Sequence, residues 1–194
     1  AQKVVHLSEF ERSQVQTDLQ KHVALLPPIC SPDALAAAQV GADPAYAHSV
    51  VFIGSPNHPP NAHALQWIIE QFAPALAKAA PQLQIALIGG GTDRLAAGVP
   101  NVKGYGFVSS EVLQSMLASC VCSISPVVRG RGIKVKVLDA IAAGCPIFAA
   151  EESLRGFEQF GLPASISLSQ PAQLASAIAQ LASVPGNQAA ARKA

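Results

Sequence analysis

Residues 49–72 read SVVFIGSPNHPPNAHALQWIIEQF, a short apolar run followed by a longer run with helical spacing. The first six residues are rich in β-branched and aromatic side chains and end at a glycine, which is typical of a buried strand. Asn61 can cap the helix that follows, and Pro74 can bend it. The stretch therefore predicts one complete βα unit, the repeating element of a parallel sheet.

The same alternation of strand and helix patterns continues on both sides of this unit. Toward the C-terminus, strands are predicted at 84–88, near 102, at 121–124, at 146–149 and near 165–168, and helices from about 109, at 132–143 and at 171–182. Toward the N-terminus, strands are predicted at 3–7 and 23–26. A helix opened by the capping box of Ser8 and Glu11 is predicted between them, and a short helix after Pro28. The predicted fold class is α/β, a Rossmann-like parallel sheet with helices on both faces.

Composition limits the classes of function that this chain can have. Half of the 194 residues are hydrophobic and 13% are charged, which suffices for one substantial core. The net charge of +1 leaves no broad cationic surface for a nucleic acid or an anionic membrane. No apolar run approaches the roughly 18 residues that span a bilayer, and the N-terminus lacks the order of a secretory signal. We expect a cytoplasmic protein without a nucleic-acid partner or a membrane span.

The four cysteines and five histidines do not predict a metal site. No Cys-x-x-Cys pair is present, and the histidines show no ligand-like clustering. Cys120 and Cys122 have the period of two that would place both on one face of a buried strand. Trp67 and Phe72 lie near helical spacing and are expected in the core. The sequence thus predicts no metal and no cofactor.

Residues 125–148 read SPVVRGRGIKVKVLDAIAAGCPIF and contain the densest group of cations in the chain. Four of the thirteen basic residues fall within eight positions: Arg129, Arg131, Lys134 and Lys136. Gly130 and Gly132 let the backbone approach a ligand closely just where a helix is predicted to begin. Lysines in the first turn of a helix lose on the order of 0.3 to 1 kcal/mol each unless an anion lies nearby. Helix dipole, free N–H groups and lysines together predict a diphosphate site.

Each of these interpretations has a structural alternative. The basic segment could be a solvated loop in which Lys136 and Asp139 form an i,i+3 pair of small value. Asp139, roughly two turns into the predicted helix, could accept both hydroxyls of a ribose or be an ordinary surface acid. The GGGT run at residues 89–92 could line a nucleotide cleft or be a simple tight turn.

The segment at 125–148 resembles the nucleotide-sugar-binding motif of the large retaining glycosyltransferase family with the GT-B fold, often called group 1 or family 4. VVFIGSPNHPPNAHALQWIIEQFAPAL at 50–76 resembles the first βα unit of that family's C-terminal domain. IALIGGG at 85–91 resembles its second strand and glycine turn, and GYGFVSS at 104–110 its base-contacting loop. VVHLSEFERS and LLPPI, within residues 1–32, resemble the end of the N-terminal domain and the crossover segment.

The resemblance implies three parts for this chain. Residues 1–32 would end an N-terminal domain that is otherwise absent, and a chain that opens inside a strand is expected to be an excised segment. Residues 33–185 would form the nucleotide-sugar-binding domain. The small, polar residues 186–194 would be a loose tail.

The resemblance also implies that one set of residues lines the donor cleft: Gly54, Ser55, Gly89, Gly90, Gly91, Thr92, Phe107, Val108, Arg131, Gly132, Ile133, Lys134, Val135, Lys136 and Asp139. Phe107 and Val108 would frame the base. Lys134 and Asp139 would be the catalytic residues. Lys134 would stabilise the charge that develops on the leaving diphosphate, and Asp139 would hold the ribose.

Two positions depart from the family's usual pattern. Arg131 stands where many members have an acid seven residues before Asp139, an acid that commonly contacts the donor sugar. The loop after the first strand of the domain, GSPNHPPN, has Asn57, His58 and Asn61 where many members clamp phosphate with an arginine and a lysine. The basic cluster could supply the missing charge.

The function expected from the sequence is donor binding in a retaining glycosyltransferase. A UDP- or GDP-sugar would bind here, and the hexose would pass to a glycan or lipid-linked acceptor held by the absent N-terminal domain. Alone, the chain would transfer nothing. The alternative is a non-catalytic Rossmann-like module for nucleotide binding or assembly, although GSPNHPPN does not supply the Gly-x-Gly-x-x-Gly of a dinucleotide site.

Overall fold

The computed structural model of the chain describes residues 4–6, 13, 23–25, 43–130 and 132–183. The strands are β1 (Val4–His6), β2 (Val23–Leu25), β3 (Ser49–Ile53), β4 (Gln84–Ile88), β5 (Val102–Gly106), β6 (Cys122–Ser125) and β7 (Ile147–Ala149). The α-helices are α1 (Pro59–Trp67), α2 (Ala73–Ala79), α3 (Thr92–Leu95), α4 (Ser110–Ser119), α5 (Val135–Ala142) and α6 (Pro171–Ser183). Turns of 3-10 helix span Pro44–Tyr46, Glu151–Leu154 and Glu158–Phe160.

Five strands form one parallel sheet in the order β5-β4-β3-β6-β7, and β1 and β2 form a separate parallel pair. The chain steps outward from β3 to β4 and β5, then returns to the other side of β3 for β6 and β7. The strand order therefore reverses between β3 and β6. Open α/β sheets bind ligands at such a switch point, outside the carboxyl ends of the strands. The predicted fold class, a Rossmann-like α/β sheet, is confirmed.

Helices cover both faces of this sheet, which explains why the central strands β3 and β6 are buried along nearly their whole length. Val50 and Phe52 face a core shared with α1, α2 and α6, whereas Val51 packs into a second cluster with α4. All three side chains are fully buried. Trp67 and Phe72 both lie in the first core, as their spacing predicts. Their rings stack with centroids 5.6 Å apart.

The first long helix begins earlier than the sequence suggested. Pro59 is its first residue and His58 its N-cap, so Asn61 is the third helical residue and the predicted Asn61 cap is wrong. Proline fits the first turn because its missing N–H would have no partner there. A π-helical turn, Ile68–Phe72, separates α1 from α2, and Pro74 is the second residue of α2.

Two further elements differ from their predictions. Helix α5 begins at Val135, three residues after the predicted start at Gly132. No strand forms at 165–168 in the described part of the chain. Ser165 and Ile166 instead both donate backbone N–H bonds to the carbonyl of Ala149, which leaves that segment beside β7 without a regular ladder.

The three cysteines among the described residues, Cys120, Cys122 and Cys145, are buried, but Cys120 and Cys122 do not share a face. Strand β6 begins at Cys122, while Cys120 is the C-cap of α4. Cys122 packs with the α1 side of the sheet, and Cys120 lies in the other cluster, its sulfur 3.4 Å from that of Cys145.

Several predictions fall outside the described residues. They are the helix at 8–21, the short helix after Pro28, the boundary at 32 and the tail at 186–194. Within the described ranges, no helix has the length and apolar character needed to cross a bilayer.

Candidate functional site

The turns that carry the predicted site residues leave the same edge of the sheet, at the carboxyl ends of β3, β4, β5 and β6. Hydrogen bonds join three of these exits. Gly54 donates its N–H to the carbonyl of Ile88 at 2.7 Å, and Ser55 Oγ donates to the carbonyl of Gly90 at 2.9 Å. Gly89 donates its N–H to the carbonyl of Gly106 at 2.8 Å. The turns that follow β3, β4 and β5 therefore form one continuous wall.

Close backbone packing explains the glycines in this wall. A Cβ at Gly89 would lie 2.8 Å from the carbonyl carbon of Gly54, and the φ of Gly89 is 136°. A Cβ at Gly90 would lie 2.9 Å from Cε2 of Phe107. A larger residue at Gly89 would separate the turns, so packing requires Gly89 even without a ligand, whereas at Gly90 it is the exposed ring of Phe107 that would have to move.

Thr92 supports the wall from beneath. It is fully buried, and its Oγ1 contacts the carbonyls of Leu87 at 3.0 Å and Gly89 at 2.8 Å. The same oxygen accepts the N–H of Gly106 at 3.1 Å. Thr92 therefore joins the exits of β4 and β5 and does not present its hydroxyl to the cleft.

Phe107 is the most exposed large apolar residue among those described, with 90% of its surface accessible. Its ring lies over Gly90, and Val108 beside it packs partly into the cluster below. An exposed aromatic face at the rim of a cleft can stack on a planar base.

The N-terminus of α1 is poorly suited to anion binding. Pro59 and Pro60 have no N–H, and the N–H groups of Asn61 and Ala62 both donate to the carbonyl of His58. An anion drawn to a helix N-terminus needs free N–H groups. The other helix at the switch point, α5, is therefore the better anion site.

Helix α5 begins at the end of the basic glycine-rich loop, with Lys134 at its N-cap. Val135 and Lys136 occupy the first turn, where backbone N–H groups have no intrahelical partner. Lys134 Nζ donates to the carbonyls of Gly130 at 2.8 Å and Gly132 at 2.7 Å. Burial lowers the pKa of Lys134; the carboxylate of Glu152 raises it and Arg155 lowers it further.

Lys136 bridges α5 and α1. Its Nζ donates to Asn61 Oδ1 at 2.7 Å and lies 4.3 Å from the centroid of the Phe52 ring. Burial lowers its pKa to about 7, and the charge of Lys134 contributes in the same direction. The expected alternative, an i,i+3 pair with Asp139, is not formed.

Asp139 is the fifth residue of α5 and so lies just over one turn into the helix, not two, because the helix begins at Val135. The carboxyl group is half-buried, and burial raises its pKa. Ile133 packs against Val137, whereas Val135 leaves 62% of its surface exposed. Arg131 lies outside the described residues.

A family described as "Glycosyl transferases group 1" matches residues 47–183, about 70% of the chain. The chain belongs to this family. No curated protein matches the sequence.

Solved structures with the same fold include three proteins of low sequence identity. Anabaena Alr3699/HepE, solved with UDP and glucose, is 17% identical, with a TM-score of 0.60 over 100% of this chain and 59% of that one. The pneumococcal O-GlcNAc transferase GtfA, solved with UDP and GlcNAc, is 16% identical, with a TM-score of 0.64 over 97% and 40%. WaaG, a glycosyltransferase involved in lipopolysaccharide biosynthesis, is 16% identical, with a TM-score of 0.62 over 98% and 61%. The group 1 glycosyltransferase chain described here thus spans 40 to 61% of their lengths.

Three polar residues of this group 1 glycosyltransferase domain were missed by sequence reasoning. Ser153 is fully buried, and its Oγ contacts the carbonyls of Ser125 at 2.7 Å and Val127 at 3.0 Å. Glu152 and Arg155 form an ion pair of 2.9 Å on either side of it. Ser153 had no local signal, because its partners, the carbonyls of Ser125 and Val127, lie 28 and 26 positions away. Glu152 and Arg155 are an i,i+3 pair, but that spacing alone does not indicate a site.

Proposed function

We propose that this chain is the donor-binding domain of a retaining glycosyltransferase, with a UDP- or GDP-sugar bound at the carboxyl edge of the sheet. The observation that carries the proposal is the start of α5. A glycine-rich loop, the N-cap Lys134 and the first-turn N–H groups meet there at the switch point, in a family whose members are glycosyltransferases.

The cleft suggests how the donor would lie. The base would stack on Phe107, which stands exposed at the β5 end, with the exits of β3 and β4 as the wall beneath. The diphosphate would reach the start of α5, because the prolines of α1 leave no free N–H on the opposite helix. Asp139 would accept the ribose hydroxyls from the next turn of α5.

The chemistry required of this domain is stabilisation of a leaving group. When the bond from the anomeric carbon to the diphosphate breaks, negative charge grows on the diphosphate oxygens. Lys134 is already held by two carbonyls of its own loop, and an ammonium has a third N–H to donate. A preoriented cation at a helix N-terminus stabilises such charge with little reorganisation.

Transfer would need a second domain to hold the acceptor, since this chain spans about half the length of the structures it matches. We propose a glycan or a lipid-linked saccharide as the acceptor class. One neighbour, WaaG, acts in lipopolysaccharide biosynthesis, which supports that class without defining the acceptor.

Calorimetric titration of the 194-residue chain with UDP and with GDP tests the donor site. One nucleotide should bind, and Lys134→Ala should weaken it roughly 10- to 100-fold, because a hydrogen bond to a charged group contributes about 1.5–3 kcal/mol. Asp139→Ala should also weaken it. Lys78→Ala is the matched control, an exposed lysine in the last turn of α2, and should change nothing. If neither nucleotide binds at millimolar concentration, the result would favour a non-catalytic assembly module.

A further inference from the structure

The carboxyl edge of the sheet has two ends. Phe107 follows β5, the outermost strand on one side, and the turn Glu151–Leu154 follows β7, the outermost strand on the other. Four strand spacings of roughly 4.8 Å separate them, or roughly 19 Å. If the base lies at Phe107 and the diphosphate at α5 beside β6, the sugar is directed toward the turn after β7.

That turn is fixed by specific contacts to the basic loop between β6 and α5. Ser153 bonds the carbonyls of Ser125 and Val127, the residues through which β6 passes into the basic loop. The N–H of Ala150 donates to the carbonyl of Ser125 at 3.0 Å. Leu154 packs in the same apolar cluster as Ile133, next to Lys134. The turn therefore holds a defined position against the start of α5.

The turn carries two acids, the exposed Glu151 and the less exposed Glu152, and Glu152 is the one held by an ion pair. Its side chain is 16% exposed, and its Oε2 lies 2.9 Å from Nη2 of Arg155, which fixes one end of the carboxylate. Its charge reaches Lys134, whose pKa it raises. A carboxylate with one oxygen held by an arginine keeps acceptor sites on the other oxygen.

We propose that Glu152 is a specificity-determining residue that accepts hydrogen bonds from hydroxyl groups of the donor's hexose. This inference rests on the proposed function and extends it from the nucleotide to the sugar. The sequence has Arg131 where the resemblance leads one to expect a sugar-contacting acid, and Glu152 places a carboxylate on the neighbouring strand exit instead. A hydroxyl donating to a carboxylate forms a charge-assisted hydrogen bond, stronger than a neutral one.

The test compares nucleotide with nucleotide-sugar for the Glu152→Gln variant. The probes are UDP with UDP-glucose, UDP-galactose and UDP-N-acetylglucosamine, and GDP with GDP-mannose, titrated calorimetrically; the tightest donor is taken forward. Glu152→Gln should weaken that donor roughly tenfold, the loss of one charged hydrogen bond. It should leave the matching nucleoside diphosphate unchanged or bound slightly more tightly, since a negative charge near Lys134 is removed.

Glu151→Gln is the matched control, because Glu151 is the exposed neighbour in the same turn. It should change neither the affinity for the donor nor the affinity for the nucleoside diphosphate. Retained nucleotide binding by Glu152→Gln also shows that the variant is folded. An equal effect on donor and nucleotide, or no effect on the donor, would overturn the role of Glu152 while leaving the donor site standing. Failure of the unsubstituted chain to bind either nucleotide would overturn the proposed function and this inference together.

Discussion

Lys136 shows how contacts that are distant in sequence can set the pKa of a single residue. Its ammonium is enclosed by the Phe52 ring and Asn61, and Lys134 adds a second positive charge nearby. None of these neighbours carries a negative charge, so the hydrogen bond to Asn61 and the contact with the Phe52 ring only partly offset the loss of water. The pKa of about 7 follows from that environment and leaves Lys136 partly neutral near physiological pH.

This pKa predicts a pH-dependent stability. Below about pH 7 the folded and unfolded chains both hold the proton on Lys136, so this group does not make the free energy of unfolding depend on pH. Above about pH 7 the unfolded chain, with a lysine pKa of about 10.4, binds a proton that the folded chain lacks. The free energy of unfolding should therefore rise with pH, by at most about 1.4 kcal/mol per pH unit. Urea denaturation at several pH values between about 6.5 and 8.5 measures that slope.

Lys136→Met should remove this contribution, since Met keeps the length and the contact with Phe52 but has no proton to lose. Lys103→Met is the matched control, because Lys103 also lies over an aromatic ring, 4.6 Å from the centroid of Tyr105, but is exposed. The slope of the control should equal that of the unsubstituted chain. Identical slopes for all three proteins would contradict a neutral Lys136.

The sequence predicted the basic cluster and its place before a helix, because both are local. It did not predict which lysine faces the loop and which is buried. Asn61, the partner of Lys136, lies 75 residues away. Ser153 was missed for the same reason, since a buried polar contact between two strand exits leaves no local signature.

At the scale of elements, strands and most helices could be predicted because each carries its own periodicity. The errors fall at boundaries, where competing start signals exist. Asn61 is a good cap, but Pro59 and Pro60 fit the first turn and move the start earlier. At α5, Gly130 and Gly132 keep the preceding loop non-helical, so the helix starts at Val135. Residues 165–168 have a strand composition, yet the backbone N–H groups of Ser165 and Ile166 both donate to the same carbonyl of β7, that of Ala149.

The joint between β4, α3 and β5 depends on the hydroxyl of Thr92. Thr92→Val keeps the shape of the side chain but leaves the buried N–H of Gly106 without its acceptor, so we expect a loss of about 1–3 kcal/mol in the free energy of unfolding. Urea denaturation measures the loss. Thr92→Ser keeps the hydroxyl and loses a methyl group, so it should be the milder substitution. The reverse order would show that packing of the methyl group, not the hydroxyl, holds the joint.

At the scale of the whole molecule, the strand order decides where a ligand can bind. A parallel sheet collects all its strand exits at one edge, so residues as far apart in sequence as Ser55 and Lys134 reach one cleft. Helices α2 and α6 pack together in the apolar core on one face of the sheet. Ligand effects should therefore be confined to one edge.

Hydrogen exchange with and without the nucleotide that binds measures this distribution. Exchange should slow in peptides covering residues 54–57, 89–92, 106–109 and 128–137, since a ligand in the cleft engages or shields those backbone groups. The backbone of α6 (Pro171–Ser183) should be unaffected because it packs on α2 beyond the apolar core. Protection centred on α6 would place the ligand elsewhere and contradict the site.

Protection spread evenly over the chain would indicate global stabilisation by mass action, without locating the ligand at this edge. The Lys134→Ala variant, measured at the same nucleotide concentration, should lose the protection at residues 128–137 first, because that lysine faces the phosphates in the proposed site.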